Sequence, residues 1–238
     1  MADKGVALLG GAFNPIHNGH LIIARSVAEL LDLPRVILIP SAHPPHKSEH
    51  DLADAGHRLE MTRLAVADEP RLEVIDIEIQ RSCAPSRDRS RCNNSPPEPV
   101  SPEQQQSPHA HRSGPSYTIL TVEAYRKSLG PDVTIHWIIG GDTLPELHTW
   151  YRVSELVDLC RIVTAVRPGF ESPDLSPLAA SLSPQQIERL RNGILLTPRI
   201  DISATDIRRR VRHSQSIRYL VPEPVRDYIS AQSLYRAD

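Results

Sequence analysis

With 238 residues, 39% of them hydrophobic and 24% charged, the chain is long enough to bury one sizeable core with at most a small appendage. A formal net charge of -2 argues against a general nucleic-acid surface, and no apolar run approaches the roughly 20 residues that span a bilayer. Met1-Ala2-Asp3-Lys4 leads straight into an apolar stretch without a signal-peptide pattern, so a soluble, cytoplasmic protein working without membrane or nucleic acid is expected. Three cysteines, Cys83, Cys92 and Cys160, do not make a disulfide framework.

The first apolar run, Val6–Leu9, reads as a strand and delivers Gly10-Gly11-Ala12-Phe13-Asn14-Pro15-Ile16-His17-Asn18-Gly19-His20 to the start of a helix over Leu21–Leu31. Gly10 and Gly11 permit a sharp turn and close approach to a ligand, and Gly19 removes a side chain between the two histidines. His17 and His20 stand one helical turn apart, so both rings can face the anion that the free N–H groups of a helix start attract. A second strand, Val36–Ile39, runs into Pro40-Ser41-Ala42-His43-Pro44-Pro45-His46-Lys47, a proline-stiffened loop that ends in a cation. Lys47 is then either a phosphate ligand or a solvated lysine in a turn.

A helical pattern over Leu59–Val66 precedes a third strand, expected over Leu72–Ile77. Cys83 to Ser113 carries six prolines, six serines and one large aliphatic residue, Val100, and is expected to be a disordered insertion within a single domain of residues 1–238. Removing those 31 residues would join Arg81-Ser82 to Gly114, and Arg-Ser recurs at 112–113. Cys83, Cys92, His109 and His111 offer a metal-site alternative for this segment, but they lack a close C-x-x-C spacing. Beyond it, Thr118 in Pro115-Ser116-Tyr117-Thr118 opens a helix whose hydroxyl and N–H groups could receive a small carboxylate.

The strand Thr134–Ile139 leads to Gly140-Gly141-Asp142 and on to Trp150-Tyr151, where the indole is either a half-buried core residue or a stacking platform for a heteroaromatic ring. Strands at Ile162–Val166 and Ile194–Leu196 follow, then Ile202-Ser203-Ala204-Thr205-Asp206-Ile207-Arg208, in which Ser203 and Asp206 have capping-box spacing. That stretch is either a capped helix with a solvated basic face or a second helix start that clamps a polyphosphate, with Arg208 one turn in. Strands alternating with helices imply an α/β fold with a doubly wound parallel sheet, and ligands bind beyond the carboxyl ends of its strands.

Gly10-to-Leu21 resembles the HxGH signature of the nucleotidylyltransferase superfamily, and Ile202-to-Arg208 resembles its ISSTxxR signature with Ala204 for the middle serine. Together with Pro44-to-Lys47, Pro115-to-Thr118, Gly140-to-Tyr151, Val166-Arg167-Pro168-Gly169 and Tyr219-to-Val225, these motifs resemble the bacterial nicotinate-nucleotide adenylyltransferase family over nearly the whole chain. The resemblance implies a Rossmann-like sheet with a small C-terminal helical part. It also implies Mg²⁺-dependent adenylyl transfer from ATP to nicotinic acid mononucleotide, giving deamido-NAD and pyrophosphate in NAD biosynthesis. His17, His20, Lys47 and Arg208 would be the catalytic groups. Gly10, Gly11, Ala12, Phe13, Gly19, Gly140, Asp142, Ile202, Ser203 and Thr205 would complete the ATP site, with Asp142 on ribose or in the magnesium sphere. Lys47, Tyr117, Thr118, Trp150, Tyr151 and Arg167 would bind the mononucleotide, Trp150 stacking on its ring while Thr118 and the Tyr151 N–H receive its carboxylate. Ala12, Asn14 and Ala204 depart from the family pattern, as does the insertion, which lengthens the loop before Thr118. The same chemistry on nicotinamide mononucleotide or another phosphate acceptor, or a non-catalytic nucleotide-binding module, are the alternatives. The sequence identifies no protein ligand to the metal and is compatible with a homo-oligomer.

Overall fold

A computed structural model describes residues 5–44, 52–82, 116–130, 132–166 and 172–236. Lys47, Arg167 and the expected insertion with Cys83, Cys92, His109 and His111 lie outside the described residues. Six parallel strands, β1 (Gly5–Gly11), β2 (Val36–Pro40), β3 (Leu72–Val74), β4 (Thr134–Gly140), β5 (Arg161–Val166) and β6 (Ile194–Leu196), form one sheet in the order β3-β2-β1-β4-β5-β6. This is the doubly wound arrangement expected from the alternation of elements.

Residues of each central strand alternate between two apolar layers, which is why β1 and β2 are nearly continuous hydrophobic runs. Val6 and Leu8 face one layer with Ile37, Trp137 and Ile139. Ala7 and Leu9 face the other with Leu38, Val163 and Ile207. The helices α4 (Thr118–Arg126), α5 (Val153–Leu159) and α6 (Pro184–Asn192) cover the first layer. The second is covered by α1 (Asn18–Leu30), α2 (Ala55–Val66), α7 (Ala204–Arg212) and α8 (Glu223–Ala231). The last two make the small C-terminal helical part, and α8 docks on α2 with Tyr228 Oη 2.9 Å from His57 Nδ1. Strand order reverses between β1 and β4, the place where a crevice opens beyond the carboxyl ends of such a sheet.

One element differs from the sequence pattern. The alternation over Leu72–Ile77 predicts a strand, yet β3 stops at Val74 and a short helix, α3 (Ile77–Ser82), follows. Pairing with β2 runs from Val36↔Leu72 to Leu38↔Val74 and on to the bond from Ile75 N–H to the Leu38 carbonyl at 3.1 Å, and it stops where the next β2 donor would be Pro40, which has no N–H. Asp76 then starts the helix, its carbonyl accepting from Gln80 N–H at 2.8 Å and its carboxylate from Gln80 Nε2 at 2.7 Å.

Candidate active site

The crevice is a cleft of about 1610 Å³ at the carboxyl edge of the sheet, and its walls include the ends of β1 and β4 and the starts of α1, α4 and α7. Gly10 and Gly11 line it but do not make the turn expected of them, since both still pair with β2, opposite Ile39 and Pro40. The turn comes at Phe13, whose φ of 43° lies in the left-handed region, and at the cis Asn14–Pro15 bond. Glycine is needed at 10 for space, because a Cβ there would stand 2.5 Å from the indole of Trp137.

His17 caps α1 and His20 lies in its first turn, their rings stacked with centroids 3.7 Å apart. His17 N–H donates to His20 Nδ1 at 3.2 Å, so the neutral His20 ring carries its proton on Nε2 and can donate from there. His17 Nδ1 is buried and has no partner among the described residues. Burial pushes the His17 imidazole down to about 4 and the His20 imidazole well below its ordinary value, with His17 adding to the second effect. Both rings are therefore neutral at pH 7. Gly19 fits its expected part, since a Cβ there would sit 3.0 Å from His17 Nδ1 and 3.3 Å from Ile200 Cγ2.

Ser203 caps α7 and accepts from Asp206 N–H at 3.1 Å, but the reciprocal half of a capping box is missing because the Asp206 carboxylate pairs with Arg209 and Arg210. Ile202, Ser203, Ala204 and Thr205 line the cleft. Arg208 stands behind this wall, donating to the Asn14 carbonyl at 2.9 Å and lying 3.5 Å from Thr205 Oγ1. Ala12 and Phe13 are likewise set back from the lining, with the Phe13 ring edge-on to His20 at 5.1 Å. Gly140 and Asp142, at the end of β4, are on the wall, and the Asp142 carboxylate fills the space that a side chain on Gly140 would need.

Tyr117, Thr118, Trp150 and Tyr151 line the same cleft. Tyr117 precedes α4 without capping it through its side chain, so the first N–H groups of that helix lack an internal partner. Trp150 is partly buried against the core and also lines the cleft. The ring of Tyr151, 51% exposed, lies 4.7 Å from that of Tyr117. Arg152 fixes this loop from behind, reaching Glu123 of α4 at 2.8 Å and Glu155 of α5 at 2.5 Å. His43 and Ser116 exchange two bonds, of 3.0 and 3.1 Å, and so anchor the loop after β2 beside Tyr117.

Two contributors are given no site role by the sequence motifs. Arg58, on α2, is 1% exposed and bonds to carbonyls of the loops after β1 and β2. Asn14 accepts through its Oδ1 from Ala53 N–H at 3.1 Å and from Tyr235 Oη at 2.7 Å. The available signal is that Arg58 shares an i, i+3, i+4 stripe with buried Met61 and Thr62, an inward position where an arginine must find partners.

A parallel sheet whose central strand feeds a paired-histidine helix start, with a second helix start on the same cleft, defines a nucleotidylyltransferase. The family model described as cytidylyltransferase-like matches residues 8–210. A relative from Moorella thermoacetica named "Probable nicotinate-nucleotide adenylyltransferase" is 36% identical over 97% of this chain and 91% of its own length. One of the same name from Dehalococcoides mccartyi is 34% identical over 99% of this chain and 98% of its own. The chain belongs to the nicotinate-nucleotide adenylyltransferase family, within the cytidylyltransferase-like group. Its fold is shared by a nicotinic acid mononucleotide adenylyltransferase of Plasmodium falciparum solved with NaAD, at a TM-score of 0.65 and 17% identity, with 98% of this chain and 97% of that one covered. Among the described residues no helix is long and apolar enough to cross a membrane.

Proposed function

We propose that the chain transfers the adenylyl group of ATP to nicotinic acid mononucleotide and that the residues of this cleft carry the reaction. The observation that supports this most is one continuous cleft of about 1610 Å³ lined both by the histidine pair with the α7 start and by Tyr117, Thr118, Trp150 and Tyr151. That volume exceeds the roughly 300–1,000 Å³ of a pocket for one drug-sized ligand and suits two nucleotides side by side.

In this reading a 5′-phosphate oxygen of the mononucleotide bonds to the α-phosphorus of ATP. The bond from that phosphorus to the bridging oxygen breaks, and pyrophosphate leaves with the electron pair. No protein nucleophile is required, so catalysis rests on positioning and on donors aimed at the developing charge. His17, His20 and the N–H groups of the α1 and α7 starts hold the polyphosphate. Lys47 contributes a cation from the loop after β2, and Arg208 acts by fixing Asn14 and Thr205. Thr118 and the α4 start receive the ring carboxylate, Trp150 supplies the stacking face, and Tyr117, Tyr151 and Arg167 complete the mononucleotide site.

Among the described residues no group of three or more His, Cys, Asp or Glu side chains is arranged to hold a metal ion. In this reading Mg²⁺ is carried mainly by the phosphates of ATP, with Asp142 one of the carboxylates on the cleft wall beside Glu78, Glu146 and Asp174. When bound, the ion would neutralise polyphosphate charge.

The test is to incubate the protein with Mg²⁺, ATP and nicotinic acid mononucleotide, nicotinamide mononucleotide or phosphopantetheine in turn, measuring pyrophosphate and the mass of each product. Deamido-NAD formed in strong preference to the other products is expected. Product with another acceptor only, or ATP binding without turnover, would overturn the assignment.

A further inference from the structure

Arg58 is the largest of the fully buried side chains, and its setting is unusual for a cation. Its Nε donates to the Ala53 carbonyl at 2.9 Å, Nη1 to those of Ala12 at 2.7 Å and Ser41 at 2.6 Å, and Nη2 to that of Ala42 at 3.1 Å. Four of its five N–H donors are thus spent on backbone oxygens. Among the described residues no carboxylate pairs with it directly, and Asp54 and Glu78 act on it only through space. Burying a charge without an ion-pair partner is costly, and here the cost is offset by four backbone carbonyls that an apolar residue would leave without a donor. The fork must therefore supply something that packing does not.

What it supplies is a joint between the loop that leads to the histidines and the loop after β2. Ala12 belongs to the loop that leads to His17, and Ser41 and Ala42 open the loop that leads towards Lys47. The same loops are tied by Ser41 N–H on the Gly11 carbonyl at 2.8 Å, and Gly11 and Ser41 both line the cleft. Burial lowers the pKa of this guanidinium from its ordinary value, yet arginine keeps its proton near neutral pH, so a cation lies one layer of backbone behind the wall where solvent screens it little.

We infer that Arg58 is a positioning residue and an internal cation for the polyphosphate site: its fork sets the two loops in register, and its unpaired charge favours the bound anion through the wall. This rests on the reading that the histidine pair holds the phosphates of ATP. The two parts separate by substitution, because lysine keeps the charge without the fork while glutamine keeps hydrogen bonding without the charge.

The experiment compares Arg58→Lys, Arg58→Gln and, as a control, His20→Ala, measuring kcat and KM for each substrate at a temperature where circular dichroism shows each variant folded. Arg58→Gln is expected to raise KM for ATP at least tenfold while leaving KM for the mononucleotide within about twofold. Arg58→Lys is expected to keep KM for ATP within about threefold and lower kcat about tenfold. Equal rises in both KM values, or a wild-type KM for ATP in folded Arg58→Gln, would overturn the inference. Should Arg58→Gln fail to fold, a tenfold rise in KM for ATP in Arg58→Lys would overturn it instead. If His20→Ala is unimpaired, the reading of the phosphate site itself fails. If His20→Ala is impaired and the Arg58 variants are not, only this inference does.

Discussion

The two halves of the cleft are built by different means. Around His17 and His20, backbone carbonyls are gripped by buried guanidinium groups, with Ala12, Ser41 and Ala42 on Arg58 and Asn14 on Arg208. Around Trp150 and Tyr151, the loop is held by an ion-pair set on Arg152 that solvent reaches, and the Tyr151 ring is half exposed. Phosphoryl chemistry rewards donors that need not reorganise, which favours the first kind of construction. Recognition of a flat aromatic acceptor tolerates a softer wall, which the second provides.

The sharpest break would come at the histidines. Replacing His20 or His17 with alanine should lower kcat by roughly 10²–10³-fold, the cost of removing one preorganised donor from developing charge. Near-normal turnover in both folded variants would take the phosphate role away from this half. Next in size is a stability effect confined to the same half. The folded chain protonates His17 only near pH 4, whereas the unfolded chain does so near 6.5. The unfolded state therefore holds more protons between those values, and stability that is full above pH 6.5 is lost as pH falls through about 4, by on the order of 3 kcal/mol. Urea midpoints at pH 7 and pH 4 should show a smaller fall for His17→Asn than for the wild type.

The softer half should respond more modestly and through binding. Trp150→Ala removes a stacking face worth about 1–3 kcal/mol per ring, so KM for the mononucleotide should rise about 5- to 150-fold with KM for ATP nearly unchanged. A matching rise for ATP would show that the indole serves the core and not the substrate. The smallest effect is expected at Arg152→Ala, where partly exposed pairs contribute about 0.2–1 kcal/mol. KM for the mononucleotide should rise only a few-fold, and the difference from wild type should shrink as salt is raised from 0.05 to about 0.5 M.

The parts legible in the sequence are those written in local patterns. Alternating runs give the sheet, the glycines and histidines give the first helix start, and Ser203 at the proper distance from Asp206 gives the second. The parts that escape depend on what lies opposite. Gly10 reads as a turn residue, but its reason is Trp137 on the neighbouring strand. Ile75 and Ile77 read as strand, but the next donor that β2 would offer beyond Leu38 falls at Pro40, which has no N–H. Arg58 reads as one charge on a helix, since nothing near it in the sequence shows that four carbonyls from three segments converge there.

Asn14 has a consequence for how the enzyme is born. The loop that carries Asn14 is made well before the residues that secure it, Arg208, 194 residues later, and Tyr235, 221 residues later. The approach to His17 is therefore complete only once both of those distant residues have folded back onto it, so a short early loop waits on two much later segments.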